Sequence, residues 1–385
     1  MTTQAEGLVE PGYEPIADAM VANQSPFEND PGDLGAAIAI HHHGRLVVDV
    51  RCGHIDPERT VRWQADTLVN AYSTMKPVAA VLALQAVADG LLDLDQPIAD
   101  VWPEFAEHGK DGITLRHALA HQAGLPAIRP LLADDDLYDW DAMCSGLAAT
   151  SPFWEPGRAH GYHTNTFGFV VGEPVCRVRN TTFTEAVQHH IARPLGIDLH
   201  VGVPHAELGR VAPFQLPQYS PPTDPQPAEA PSEHDQMLSL AYWNPSGASG
   251  MNVVNTTRWR TAAVPSTNGH ATAQALAGFY RALLADVPSP LLPRELVDEA
   301  TTEHASGIDE VLLRPIRFGL GFTLPQPDRP IGLTSSAFGH YGFGGSLGFA
   351  DPAEGIAFGY LTNRPGERWQ NPRVKRLLGA LADCV

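Results

Sequence analysis

The chain has 385 residues, of which 43% are hydrophobic, so it is long enough to bury one large core or two lobes. Its formal net charge of −19 at pH 7 argues against nucleic acids and anionic membrane surfaces as partners. The four cysteines are scattered without a C-x-x-C pair, and no apolar run is long enough to span a membrane. No basic stretch followed by an apolar stretch stands at the N-terminus. We therefore expect a soluble, cytoplasmic protein with reduced thiols, without a metal site or a cofactor.

The first predicted elements are two strands, over residues 35–44 and 45–51, joined by a turn at His43 and Gly44. Three consecutive histidines, beginning at His41, end the first strand. Alternate residues of a strand face opposite sides, so at most two of these histidines could converge on a metal ion. We interpret them as the tip of a hairpin.

Residues 73–76 read Ser-Thr-Met-Lys and directly precede an apolar run over residues 77–88. Pro77 is tolerated only in the first turn of a helix, so Ser73 is predicted at or beside a helix N-terminus. Residues i and i+3 share a helix face, which puts the hydroxyl of Ser73 within reach of the amine of Lys76. The chain contains three lysines, and this one stands where a serine nucleophile could be activated. The short motif alone also fits a capping serine beside a solvated lysine.

The middle of the chain is predicted to be mainly helical. A short helix over residues 113–125 ends at Gly124, and three aspartates from Asp134 mark another helix start. Residues 213–231 contain seven prolines without periodicity, which predicts a lid over a site or a loop on the surface. A helix over residues 271–286 follows.

The C-terminal part returns to strands. Residues 338–363 predict a hairpin around Asp351 and Gly355, and a helix over residues 369–384 closes the chain. We therefore predict an α+β fold in which an antiparallel sheet, built from both termini, is flanked by helices. Residues 1–72 and 270–385 would form the sheet lobe, and residues 73–269 the mainly helical lobe, together one catalytic unit.

Two further segments join the Ser73 motif. Residues 156–168 form a turn that carries Tyr162, and residues 339–349 form a glycine-rich strand, which allows close approach of a ligand. With Ser73 and Lys76, they resemble the serine β-lactamase and penicillin-binding-protein superfamily, nearest to its class C-like esterase branch, the family VIII carboxylesterases. Residues 119–126 are also similar to a segment common in that branch. The resemblance spans roughly residues 30–380 and implies the β-lactamase/transpeptidase-like fold.

The resemblance assigns roles to individual residues. Ser73 would be the acylated nucleophile with Lys76 as its partner, and Tyr162 would be the base and proton shuttle. His340, Tyr341 and Gly342 would stand where the family has Lys-Thr-Gly, and the backbone N–H groups of Ser73 and Phe343 would form the oxyanion hole. Trp154, Trp243 and Tyr341 are candidate walls of an acyl pocket.

These residues also have simpler interpretations. Tyr162 could be an ordinary buried tyrosine, His340 a structural donor on a strand, and His121 is better explained as a core or turn histidine. A phenol has a pKa near 10, so Tyr162 would need neighbouring cations, such as Lys76 and His340, to lower its pKa.

The sequence departs from the family pattern at two places. Thr164 occupies the asparagine position of Tyr-x-Asn, with Asn165 one residue late, and His340 replaces the lysine of Lys-Thr-Gly. A histidine is only fractionally charged at pH 7, so a strong anchor for a substrate carboxylate is missing from the motif. This favours neutral esters over β-lactams or anionic peptides.

A competing serine stands at Ser346, within the pattern G-x-S-x-G of α/β-hydrolases. That fold needs an acid and then a histidine downstream of the serine, and no histidine follows Ser346. The surrounding pattern is also strand–strand rather than strand–helix. We therefore exclude Ser346 as the nucleophile.

The sequence thus predicts a serine hydrolase that forms an acyl-enzyme with a small-molecule acyl substrate. A carboxylesterase acting on neutral esters is favoured, because water is always present as an acceptor. A transacylase that passes the acyl group to an amine or alcohol, a β-lactamase or D-amino-peptidase, and a silent binding protein on the same scaffold are the alternatives.

Overall fold

The computed structural model describes residues 4–27, 29–216, 230–284, 291–366 and 371–385. Its main feature is a six-stranded antiparallel sheet whose strands come from both ends of the chain, in the order β1-β3-β2-β11-β10-β9. These strands are β1 (Glu6–Val9), β2 (Gly35–His42), β3 (Arg45–Gly53), β9 (Phe338–Tyr341), β10 (Leu347–Asp351) and β11 (Ile356–Thr362). Between them in the chain lie β4 (Val69–Asn70), β5 (Leu199–Val201), β6 (Gly269–Ala271), β7 (Ala305–Ile308) and β8 (Pro315–Phe318).

The twelve helices assigned among the described residues are flanking or inserted elements. They are α1 (Glu14–Ala22), α2 (Lys76–Ala88), α3 (Leu115–Leu119), α4 (Trp140–Ala148), α5 (Phe167–Arg179), α6 (Phe183–Val187), α7 (Arg193–Leu195), α8 (Glu233–Trp243), α9 (Thr257–Thr261), α10 (Ala273–Arg281), α11 (Arg294–Thr301) and α12 (Pro372–Ala382). None of the helices within the described ranges combines the length and the apolar character that crossing a bilayer demands.

The sheet is covered on both faces, because alternate residues of each strand point to opposite sides. In β2, Ile38 and Ile40 belong to the core shared with α1 and α12, whereas Ala37 and Ala39 belong to the core shared with the inserted helices. Helix α10 packs across β2, β10 and β11. The small residues of β2 on that face leave room for this helix. The mixed helical and antiparallel architecture predicted from the sequence is confirmed.

The hairpin turn between β2 and β3 is where predicted. His43 and Gly44 have φ of 47° and 76°, the two positive values that a tight hairpin of this kind requires. The C-terminal hairpin between β10 and β11 and the closing helix α12 also form as expected. Helix α12 is shorter than the predicted range of residues 369–384, in which residues 369 and 370 lie outside the described residues.

The helix predicted over residues 113–125 is wrong in length. Helix α3 spans only Leu115–Leu119, because His121 adopts a left-handed conformation with φ of 60° and the chain turns before Gly124. The proline-rich segment is described only at its edges, and residues 217–229 lie outside the described residues. The boundaries of the two predicted lobes stay a prediction.

Candidate active site

Ser73 lies at the entrance to the buried helix, as the proline at position 77 predicts. Strand β4 leads into a 3-10 turn (Tyr72–Met75), and α2 begins at Lys76 with Pro77 in its first turn. Tyr72 has a φ of 51°, a conformation that a large side chain rarely adopts and that is frequent at functional sites. Ser73 is 9% exposed, so its hydroxyl borders a cavity from an otherwise buried turn.

The amine of Lys76 is held beside the Ser73 hydroxyl by two backbone carbonyls. Its Nζ atom lies 3.1 Å from Ser73 Oγ, 2.7 Å from the carbonyl oxygen of Thr164 and 3.3 Å from that of Ser266. Lys76 is fully buried, and burial lowers its pKa well below the usual value. Neutral lysine has two N–H donors and one lone pair. With both donors directed to carbonyls, the lone pair is left to accept the proton of Ser73.

Tyr162 completes the group that the sequence analysis put together. Its phenol hydrogen-bonds with Ser73, and Lys76 Nζ lies 4.7 Å from the centre of its ring. The side chain is 1% exposed. A hydroxyl, an amine and a phenol from residues 73, 76 and 162 therefore meet at one point.

The expectation that Lys76 and His340 lower the pKa of Tyr162 is wrong. Burial raises the pKa of this phenol, and the hydrogen bond with Ser73 opposes the rise only in part. His340 supplies no charge either, because burial, followed by repulsion from Lys76, lowers its pKa to about 3. In the resting site Tyr162 is thus a neutral phenol, and the group with a pKa lowered toward neutrality is Lys76.

The backbone around Tyr162 is held by a carboxylate that the sequence did not reveal. Asp309, which is fully buried, accepts hydrogen bonds from the backbone N–H groups of Tyr162, Val311 and Leu312. The N–H of Glu310 also donates to the carbonyl oxygen of His160 at 3.0 Å. The segment between β7 and β8 therefore fixes the loop that presents Tyr162.

Trp154 supports the same loop from another direction. Its indole N–H donates to the carbonyl oxygen of Ala159 at 3.1 Å, and its ring meets that of His163 edge-on. Trp154 is not among the residues that line the cavity at Ser73. Trp154 was predicted to form a wall of the acyl pocket, but it does not contact the described cavity at Ser73.

His340 and Tyr341 end strand β9 beside the site. The His340 ring stacks on Tyr162 with centroids 5.8 Å apart, and its Nδ1 lies 2.6 Å from the Tyr341 carbonyl oxygen. Nδ1 therefore carries the proton, and Nε2 is a buried acceptor without a protein partner among the described residues. Tyr341 donates its own hydroxyl to the carbonyl oxygen of Pro330 at 2.7 Å.

Gly342 allows the end of β9 to approach the turn that carries Ser73. A Cβ atom at this position would lie 2.5 Å from the carbonyl oxygen of Ala71, which is closer than real side chains come. The next residue, Phe343, opens a 3-10 turn (Phe343–Gly345). The hydrogen bonds of the described residues include none donated by the backbone N–H of Ser73 or of Phe343. Both groups are thus available to bind an oxyanion.

The cavity at Ser73 has a volume of about 340 Å³. Trp243 and Phe343, which are 51% and 40% exposed, contribute large apolar surfaces to it. Its lining consists of Tyr72, Ser73, Tyr162, Thr164, Asn165, Tyr242, Trp243, Ser249, Met251, Thr267 and Phe343. Phe214, in the described edge of the proline-rich segment, packs against Tyr72 with ring centroids 5.0 Å apart. Most of the proline-rich segment that was predicted as a lid or a surface loop, residues 217–229, lies outside the described residues.

Several of these residues were missed by the sequence analysis. Tyr242 hydrogen-bonds with the side chain of Thr164, the residue at the expected asparagine position. Asn165 donates to the carbonyl oxygen of Ala241 and to Ser249. The late asparagine thus fixes the end of α8 to the cavity wall. No sequence motif marks Tyr242, which lies near the end of the helix that follows the proline-rich segment.

Ser346 and His121 have structural surroundings and are not part of the Ser73–Lys76–Tyr162 group. Ser346 is 1% exposed and lies between a 3-10 turn and β10, not between a strand and a helix. Its backbone carbonyl accepts a hydrogen bond from Gly342 at 2.7 Å. His121 packs against Tyr162, and its Nδ1 accepts from the backbone N–H of His163 at 3.1 Å, so it supports the Tyr162 loop.

Comparison with known proteins connects this geometry to esterases. The chain is 33% identical over 343 residues to the esterase/beta-lactamase LipL of Mycobacterium tuberculosis, covering 86% of this chain and 77% of that protein. It is 28% identical to the esterase EstB of Burkholderia gladioli over 91% of this chain and 90% of that protein. The crystal structure of a family VIII carboxylesterase matches with a TM-score of 0.88 at 33% identity, covering 99% of this chain and 100% of the other.

A penicillin-binding-protein homologue from Caulobacter crescentus is similar to the same extent. Its structure matches with a TM-score of 0.87 at 36% identity, over 99% of this chain and 100% of the other. The family model described as Beta-lactamase matches residues 23–382. The superfamily and the esterase-type relatives predicted from three short motifs are confirmed. The chain belongs to the beta-lactamase family.

Proposed function

We propose that the protein is a serine carboxylesterase that hydrolyses small-molecule esters through an acyl-enzyme on Ser73. The observation that carries this proposal is the arrangement of the Lys76 amine, which contacts two carbonyls and the Ser73 hydroxyl within 3.3 Å. The names of two relatives, the esterases LipL and EstB, agree with it. A cytoplasmic location stays a prediction of the sequence.

The proposed reaction begins with transfer of the Ser73 proton to the neutral amine of Lys76, while Ser73 Oγ attacks the ester carbonyl carbon. The backbone N–H groups of Ser73 and Phe343 hold the resulting oxyanion, each worth about 2.7–4 kcal/mol in comparable sites. The phenol of Tyr162, protonated because burial raises its pKa, donates to the departing alcohol oxygen. Lys76 then returns the proton to Tyr162, and water releases the acid in a second, equivalent cycle.

The acyl group would occupy the cavity at Ser73, against Trp243 and Phe343. The walls of that cavity carry hydroxyl and amide groups but no charged side chain among the described lining residues. His340 is neutral at its buried position. The absence of a charged side chain from the described walls of the cavity at Ser73 favours an uncharged acyl group. Tyr341 and Gly342 remain candidate substrate contacts at the end of β9.

The test compares the wild type with Ser73→Ala on p-nitrophenyl butyrate, together with mass spectrometry after treatment with a fluorophosphonate. We expect one covalent adduct on Ser73 in the wild type, and loss of both the adduct and turnover in Ser73→Ala. Ser346→Ala is the matched control, because Ser346 is buried outside the site, and it should keep its turnover. Equal labelling of wild type and Ser73→Ala would support a silent binding protein instead.

A transacylase is the second candidate, because acyl transfer needs the same acyl-enzyme and only a different acceptor. Product analysis with and without added amines or alcohols separates the two, since an esterase releases free acid in both cases. The name of LipL includes beta-lactamase, so a chromogenic cephalosporin belongs in the same assay. With Thr164 at the asparagine position of the motif, we expect turnover of β-lactams or D-amino peptides to be far slower than that of esters.

A further inference from the structure

A second cavity, of about 360 Å³, shares Tyr162 with the cavity at Ser73. Ser73 and Phe343 line only the first cavity, whereas His340 and Tyr341 line only the second. Tyr162 is therefore the wall common to both. The mechanism proposed above uses the first cavity for the acyl group and leaves the second without an occupant.

Positive charge gathers in the second cavity, although the whole chain has a net charge of −19. Its described lining contains three cations, Arg314, Arg329 and Lys375, against one carboxylate, Asp328. Arg329 pairs with Asp328 at 3.2 Å, but the Asp328 side chain is 70% exposed, so water screens this pair. The described lining thus has a net charge of about +2, counting these four groups.

The cations are within electrostatic reach of the reacting groups. Arg314 and Tyr162 line the same cavity, and the charge of the guanidinium acts to lower the pKa of Tyr162. Tyr162 in turn hydrogen-bonds with Ser73. A molecule in the second cavity therefore contacts the residue whose phenol protonates the leaving oxygen.

The remaining lining gives this cavity an apolar floor. Ile316, Phe318 and Ile331 are buried apolar residues of the lining, and the Phe318 ring lies parallel to that of Tyr162 with centroids 6.3 Å apart. An apolar floor with cations at the rim suits a molecule that has a flat or aliphatic body and an anionic end.

We propose that the second cavity binds the alcohol part of the ester, and that it selects alcohols bearing a carboxylate. Lys375, Arg329 and Arg314 are its cationic contacts. This rests on the proposed function. Attack by Ser73 Oγ breaks the bond between the acyl carbon and the alcohol oxygen, which takes its proton from Tyr162, so a hydroxy acid leaves. Water then cleaves the acyl–Ser73 bond.

The cationic contacts come from positions outside the three motifs. Arg314 directly precedes β8, Arg329 lies between β8 and β9, and Lys375 lies on α12. The sequence predicted that a carboxylate anchor is missing, because His340 replaces the lysine of the motif. That prediction rested on position 340 alone. The charge absent from the motif is supplied from three separate segments.

The experiment uses two esters with the same butyryl group, 3-butyryloxybenzoate and 3-butyryloxybenzamide, which differ only in the charge of the leaving phenol. The readout is the ratio of their kcat/KM values, carboxylate over carboxamide. We expect a ratio of about ten in the wild type, which is the scale of one charge-assisted contact. The double variant Lys375→Gln, Arg329→Gln should bring the ratio close to one, and salt should lower it in the wild type.

Arg376→Gln is the matched control. Arg376 follows Lys375 on the same helix, but it contacts Asn23 and Phe27 instead of the cavity, so its ratio should equal that of the wild type. A wild-type ratio of one or less, or an equal ratio in the double variant, overturns the inference. If the carboxamide ester is still hydrolysed in a Ser73-dependent manner, the proposed esterase function survives that result. Hydrolysis of neither ester overturns both.

Discussion

Burial decides which protonation state of Lys76 the site contains. No carboxylate among the described residues pairs with its amine, and desolvation lowers its pKa well below the usual value. A neutral amine can accept the Ser73 proton, whereas an ammonium cannot. The same low-dielectric surroundings keep Tyr162 protonated. Burial therefore lowers the pKa of the base, Lys76, and raises the pKa of the acid, Tyr162.

The first prediction concerns the pH dependence of kcat/KM. Because the active form has neutral Lys76, kcat/KM should rise with pH through the lowered pKa of Lys76 and level off well below pH 10.5, the usual pKa of a lysine. Lys76→Arg keeps a cation that does not deprotonate, so it should lose about 10²–10⁴-fold in kcat. Steady-state kinetics from pH 5 to 10 on a neutral ester measures both effects. A profile that still rises steeply at pH 10, or an active Lys76→Arg, would contradict this assignment.

The second prediction concerns Asp309, a positioning residue. Its carboxylate accepts the backbone N–H groups of Tyr162, Val311 and Leu312 from a fully buried position. Asp309→Asn keeps the size but removes the negative charge that attracts these N–H groups, so the Tyr162 phenol should drift from Ser73. We expect kcat to fall about tenfold, with KM nearly unchanged.

The control for Asp309 is Glu310→Gln at the next position. This substitution removes the same charge, but from an exposed side chain that does not hold the Tyr162 loop. It should retain the wild-type kcat. Melting temperatures of both variants separate a loss of position from a loss of folding. Equal kcat values for Asp309→Asn and Glu310→Gln would remove Asp309 from its proposed role.

At the scale of elements, the site depends on how closely β9 approaches the turn before α2. Gly342 has φ of −100° and ψ of 165°, an extended conformation open to any residue, so its importance lies in space and not in backbone freedom. A Cβ atom there meets the Ala71 carbonyl oxygen at 2.5 Å. The strand and the turn must therefore separate if any side chain is added.

The third prediction follows from this contact. Gly342→Ala should displace the N–H of Phe343 from the oxyanion hole and lower kcat/KM by about 10²–10³-fold, the cost of one lost donor. Gly112→Ala is the matched control, because nothing lies within 4 Å of a Cβ atom at that position. Kinetics on one neutral ester, with circular dichroism to check folding, decides the matter. Activity within twofold of wild type in Gly342→Ala would rule out the predicted hole.

Some contacts of the Lys76 amine could be predicted from the sequence and others could not. The serine–lysine contact was predictable, since the i, i+3 spacing and Pro77 fix a local geometry that tertiary packing did not alter. The carbonyls of Thr164 and Ser266 were not, because every residue carries a carbonyl and their proximity to Lys76 arises from segments 88 and 190 residues away. The prediction that the pKa of Tyr162 is lowered failed for the same reason, because the degree of burial is a property of the fold.

For the whole molecule, a single sheet built from both ends of the chain was predictable, because the patterns at both ends are typical of strands, but the order of the strands was not predicted. The order β1-β3-β2-β11-β10-β9 joins the two ends in one sheet. A buried ion pair completes the junction, in which Arg373 of α12 contacts Asp30 at 3.0 Å and Asp33 at 2.5 Å. The distribution of charge was not predictable, since a net charge of −19 gives no hint of a cationic cavity.

Buried histidines give the whole molecule an acid-sensitive stability. His340 and His270 have pKa values lowered to about 3, and His163 to about 4, in each case first by burial. The pKa of His121 is also well below 6.5. In the unfolded chain these side chains bind protons below about pH 6.5, while the folded protein leaves them neutral. The unfolded state then holds more protons, so stability is full above pH 6.5 and is lost as pH falls toward the folded pKa values.

The fourth prediction is that the melting temperature falls steeply between pH 7 and 5, before most carboxylates titrate. Each such histidine contributes about 1.4 kcal/mol per pH unit in that window. His270→Leu tests the cause, because His270 is fully buried on β6 and does not line the cavity at Ser73, and it should reduce the slope by the share of one histidine. Calorimetry in 0.5 M salt screens the −19 net charge, whose relief at low pH acts in the opposite direction. A melting temperature that stays constant from pH 7 to 5 would show that these histidines titrate alike in the folded and unfolded states.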